Sequence, residues 1–168
     1  MFLALSAGEL ANGLAYLFIG IFRLYFMRIG NFYVATYSVE CFYRTPWSTL
    51  MIFSGQFPAL INVFITMERV FALEYATYYR RLWQERYNYY LILLAFLLTA
   101  VFIALAITIN SINHNRNPTR MCGVMQSTGA IYGTFHFCTI SIIYMSCFIV
   151  LKVIFNRINK LRVSTGIS

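Results

Sequence analysis

The stretch LILLAFLLTAVFIALAITI, residues 91–109, contains no charged side chain. Wound as a helix at about 1.5 Å per residue, such a run covers the ~30 Å hydrocarbon core of a bilayer. In lipid a lone strand would leave its backbone groups unpaired, so a helix is the form expected for it.

Working outward, the same pattern recurs. Of 168 residues, 60% are hydrophobic and only 11% charged, and apolar runs cover about residues 2–27, 47–67, 87–109 and 129–155. The expectation is an all-α membrane protein with four transmembrane helices in one domain over residues 1–168. No basic segment followed by a short apolar run and a small-residue cleavage site opens the chain, so the first helix is expected to act as the targeting signal. Pro58 inside the second span is expected to kink it. The net charge of +8 comes from cations scattered among helix ends. That scatter argues against a nucleic-acid partner, which needs a clustered basic face.

Those cations set the orientation. Arg69, Arg80, Arg81 and Arg86, with Lys152, Arg157, Lys160 and Arg162, lie on one side of a four-span topology; Arg28, Arg44, Arg116 and Arg120 lie on the other. The positive-inside rule puts the 69–86 loop and the C-terminal tail in the cytoplasm. Trp47, Trp83, Tyr87, Tyr89 and Tyr90 fit the interfacial aromatic belt. Cys41 and Cys122 then share the oxidising side, where a disulfide between them is expected. Cys138 and Cys147, nine positions apart within the fourth span, point to opposite helix faces and are expected as buried thiols. His114 and His136 have no ligand spacing with any cysteine, so no metal site is expected.

Polar residues within the spans need partners. Ser48, Gly55, Asn62 and Arg69 recur every seven residues and share a face of the second span, with Thr66 beside them. Polar groups in lipid turn toward protein, so the second span is expected to be the central one. The stripe serves either close packing or function. Glu9 is either an intramembrane carboxylate with a partner or an interfacial residue.

The order of these features carries a resemblance. Cys41 heads a central helix with Glu68-Arg69 in MERVFAL at its other end; a basic loop, a helix, a loop with Cys122 and a further helix follow. This sequence of elements resembles helices two to five of a rhodopsin-like G-protein-coupled receptor. The run LALSAGELANGLAYLFIGIFR resembles the second helix of that family, with Glu9 where aspartate is usual. ELANGL, MERVFAL and the tyrosine-rich loop are most similar to nematode serpentine chemoreceptors. Val70 stands where the family has an aromatic residue, and helices one, six and seven have no counterpart.

The resemblance implies a ligand-driven switch in which Glu68 restrains Arg69 until a heterotrimeric G protein engages. It also implies a small-molecule pocket in the outer half, lined by Met51, Ile52, Gly55, Gln56 and Tyr132, and residence in the plasma membrane. The alternative is a self-contained four-helix scaffold or assembly protein, in which Glu9 and Asn62 serve helix packing alone. No nucleophile with its base, metal cluster or phosphate loop is visible, so neither an enzyme nor a cofactor is expected.

Overall fold

A computed structural model describes residues 1–112 and 116–164. It is an all-α membrane protein with four helices long and apolar enough to span a bilayer. The elements run α1 (Phe2–Arg28), β1 (Thr36–Tyr37), α2 (Ser38–Arg44), α3 (Pro46–Glu74), α4 (Ala76–Leu82), α5 (Glu85–Ile112), β2 (Arg116–Asn117), α6 (Val124–Thr128) and α7 (Ala130–Ser164). The spans are α1, α3, α5 and α7.

Local chemistry explains several boundaries. α1 stops where Gly30 adopts φ +72°. There the Gly30 N–H donates to Met27 O and the Asn31 N–H to Phe26 O, the paired bonds by which a glycine closes a helix. Thr45 precedes α3 and Pro46 takes its first position, where a missing N–H costs nothing. Gly129, at φ +86°, separates the one-turn α6 from α7.

Two helices outrun their expected ends. α3 continues past residue 67 to Glu74, and α7 past 155 to Ser164. An apolar run marks the membrane, whereas a helix stops only at a breaker or a cap; residues 68–74 and 156–164 contain neither glycine nor proline. Glu68 and Arg69 therefore lie within α3 rather than at its end. The expected 69–86 loop holds the short helix α4. α3 also remains helical through Pro58, whose ring is fully buried.

α3 is central. Half (50%) of its most apolar stretch is buried within the protein, against 11, 17 and 6% for α1, α5 and α7. It packs against each of the other three. α1 runs antiparallel to it: Phe22 stacks on Trp47 with centroids 4.3 Å apart. Further along, a Cβ on Gly8 would sit 2.7 Å from the Pro58 ring, so this crossing admits no side chain there. α7 runs parallel to α3, since Gly55 meets His136 and Ile140 while Glu74 pairs with Arg157. Two apolar clusters fill the seams. Phe42, Ile52, Ala106, Val124 and Tyr132 form one, and Phe57, Ile61, Ile65 and Ala95 the other.

At one end of the bundle, the Cys41–Cys122 disulfide ties α2 to the segment before α6. This pairing is the one anticipated from the topology. An antiparallel pairing of Thr36 with Asn117 and Tyr37 with Arg116 adds a two-residue ribbon. Asn117 Nδ2 donates to Gln126 O at 2.7 Å, and the Arg120 N–H to Phe32 O at 2.9 Å. Cys138 is exposed and Cys147 half-buried, in contrast to the buried thiols expected. Only 6% of the most apolar stretch of α7 is buried within the protein, so both thiols sit on a helix with little protein around it.

Candidate functional site

The Glu68-Arg69 pair is met by two elements, the short helix α4 and the start of α1. Glu68 Oε1 accepts a hydrogen bond from the Tyr79 hydroxyl of α4 at 2.9 Å. The Arg69 guanidinium lies 5.9 Å from the centroid of the Phe2 ring in α1, a cation–π distance. Among the described residues Glu68 and Arg69 form no ion pair with each other; Glu74–Arg157 is the only salt bridge. Neighbours on a helix point about 100° apart, so Glu68 turns toward α4 and Arg69 toward the α3–α7 seam. The restraint of Arg69 by Glu68, as expected from the resemblance, is not the arrangement seen. Burial raises the pKa of the Tyr79 hydroxyl above its usual value, and the adjacent Glu68 carboxylate raises it further. Arg69 and Lys152 both line a cleft of about 720 Å³ whose remaining wall is apolar, including Leu73, Phe148 and Phe155.

Deeper in the bundle, polar groups of three helices meet. The Tyr144 hydroxyl of α7 lies 3.3 Å from Glu9 Oε1 of α1, with Asn62 of α3 close by. Nearby, Ser54 Oγ donates to Asn12 Oδ1 at 3.2 Å, a second link between α3 and α1. Gly55, Asn62 and Arg69, three members of the seven-residue stripe, thus face α7. Ser48 instead serves the α2–α3 junction, donating to Thr45 O and lying 2.9 Å from Thr45 Oγ1.

The residues expected to line a ligand pocket come together, but their side chains fill the space between them. Ile52 and Tyr132 belong to one apolar cluster with Met51 packed against it. The Tyr132 hydroxyl donates to Phe102 O of α5 at 2.9 Å. A Cβ on Gly55 would lie 2.8 Å from Ile140. Gln56, fully buried, has its Nε2 at 3.1 Å from Nδ1 of buried His136, while its Oε1 has no partner among the described residues. A compact hydrogen-bonded seam stands where an open pocket was expected.

Open space lies further toward the disulfide. A cleft of about 340 Å³ is bounded by Phe22 and Phe26 of α1, Trp47 of α3, Glu40 and Arg44 of α2, and Arg120, with the disulfide cysteines in its wall. Thr36 Oγ1 accepts from Arg120 Nε at 3.1 Å, which fixes the guanidinium. In the sequence Arg44 and Arg120 stand only as topology markers. Their convergence depends on the disulfide and the ribbon, and no local motif announces it.

Among the described residues no three His, Cys, Asp or Glu side chains gather to hold a metal. His114 lies outside the described residues, as does the side chain of Arg162. No family model matches the chain, and neither a curated protein nor a solved structure is detectably similar to it.

Proposed function

We propose that this chain forms helices two to five of a rhodopsin-like chemosensory receptor in the plasma membrane, carrying a small-molecule signal from the disulfide side to a heterotrimeric G protein on the basic side. One observation carries the reading: a central helix, α3, is tied at one end through Cys41–Cys122 and bears Arg69, free of ion pairs among the described residues, near the other. In this reading Glu68 is engaged by Tyr79. The α4 segment therefore holds Glu68 away from Arg69, in place of the Glu68–Arg69 pair that the resemblance implied. Helices one, six and seven come from further polypeptide, and Arg69 is the contact for the G protein in the α3–α7 cleft.

The test is G-protein activation by the chain joined to its flanking coding sequence. Arg69→Ala is expected to abolish coupling at unchanged surface level; full coupling in the variant would remove Arg69 from the mechanism. The second reading, a self-contained four-helix scaffold, draws on the polar ties Glu9–Tyr144, Gln56–His136 and Glu74–Arg157 that knit the spans internally. It requires a stable, monodisperse bundle with no response to any ligand, whatever sequence is joined to it.

A further inference from the structure

We infer that the cleft beneath the disulfide is a binding site for a small organic acid, a monoanionic carboxylate on an apolar or aromatic body. That the cleft opens to the outside rests on the receptor reading; the chemistry of its wall does not.

Charge comes first. Two guanidinium groups, Arg44 and Arg120, and one carboxylate, Glu40, line the cleft. Two positive charges less one negative leave a single net positive charge, which suits a monoanion. None of the three groups is in an ion pair among the described residues. Their charges are thus not cancelled by neighbours, and a guanidinium is the side chain best shaped to take both oxygens of a carboxylate.

Preorganisation comes next. Arg120 is anchored through its side-chain Nε to Thr36 and through its backbone N–H to Phe32 O. Its terminal amino groups have no protein partner among the described residues. Thr36, which takes the Nε bond, is itself buried and paired in the ribbon with Asn117. The next residue but one, Cys122, is fixed by the disulfide. An arginine held from three directions loses little freedom when a ligand arrives, which favours affinity.

The rest of the wall selects the body of the ligand. Phe22 and Trp47 stack as one aromatic face, and Phe26 stands one turn along α1 from Phe22. A volume of about 340 Å³ admits a ring or a short chain with its carboxylate. A few placed charges against an apolar wall is the composition expected of a small-molecule site.

Trp47 and Trp83 are the two tryptophans of the chain, so Trp83→Phe leaves Trp47 as a fluorescent reporter within the cleft. The probes are 4-nitrobenzoate and its neutral isostere 4-nitrobenzamide, added to the protein in nanodiscs. The acid is expected to quench Trp47 saturably at a concentration about tenfold below the amide. Arg44→Gln with Arg120→Gln is expected to erase that preference. Glu40→Gln is expected to tighten acid binding by about tenfold, a gain that misfolding does not produce. Formation of the disulfide, read on a non-reducing gel, verifies each variant. Equal quenching by acid and amide overturns the site, as does an acid preference that survives loss of both arginines or an unchanged affinity in Glu40→Gln. Because binding is read without a G protein, an acid preference that persists in a protein unable to couple keeps the site and removes the receptor. A receptor that couples while ignoring acids does the reverse.

Discussion

Gly55 and Gly13 show how differently two glycines of one bundle are used. A Cβ at Gly55 would come within 2.8 Å of Ile140 and 3.2 Å of His136 Nε2, whereas one at Gly13 meets nothing within 4 Å. Gly55→Val should therefore overpack the α3–α7 seam and cost about 1–3 kcal/mol. Gly13→Ala should be neutral or stabilise by up to ~1 kcal/mol through helix propensity. Thermal unfolding in detergent micelles separates the two. Gln56 and His136 are coupled in the same seam, so in a double-mutant cycle Gln56→Met and His136→Phe should be non-additive by about 0.5–3 kcal/mol. Tyr79 offers a pH signature. Its pKa is raised in the folded protein, so the stability its hydroxyl contributes is fully present below the ordinary tyrosine value near pH 10 and is lost as pH rises through the raised value. Tyr79→Phe should flatten the decline in melting temperature above about pH 10.

The helices themselves differ in how they are held. α1 meets α3 at Gly8, where a Cβ would strike the Pro58 ring, while α7 meets α3 near its far end through the exposed Glu74–Arg157 pair. Close backbone approach matters more in lipid than a solvated ion pair does. Gly8→Leu is expected to release α1, lowering melting temperature and opening Phe22–Trp47. Glu74→Gln should change stability by no more than ~1 kcal/mol. The four spans were legible because hydrocarbon imposes one length and one composition on any helix that crosses it. The centrality of α3 was legible because its polar residues keep a seven-residue spacing that lipid does not tolerate. The ends of α3 and α7 were not, since apolarity reports the membrane and says nothing of where backbone hydrogen bonding stops. α4 was missed because ATYYRRL, aromatic and basic together, has no apolar period to announce it.

For the whole molecule, the site divides along the same physical line. Cys41 and Cys122 could be paired from topology, because only two cysteines fall on one side of the bilayer. Met51, Ile52, Gly55, Gln56 and Tyr132 lie at one level of the bundle, yet volume cannot be read from a sequence, and packing closes the space between them. The open cleft depends on residues brought from α1, α2, α3 and the segment before α6, a convergence only the tertiary structure displays. Removing the disulfide by Cys41→Ser with Cys122→Ser should cost about 2–4 kcal/mol and open that cleft, measured as lost Trp47 quenching together with a lower melting temperature. The bond also sets a timetable. Its cysteines are 81 residues apart, and α5 lies between them. At roughly 5–20 residues per second a ribosome needs about 4–16 s to make that interval. Closure must wait until α5 has been threaded across the bilayer, so in a nascent chain the oxidised form is a record that the first three spans are already in place.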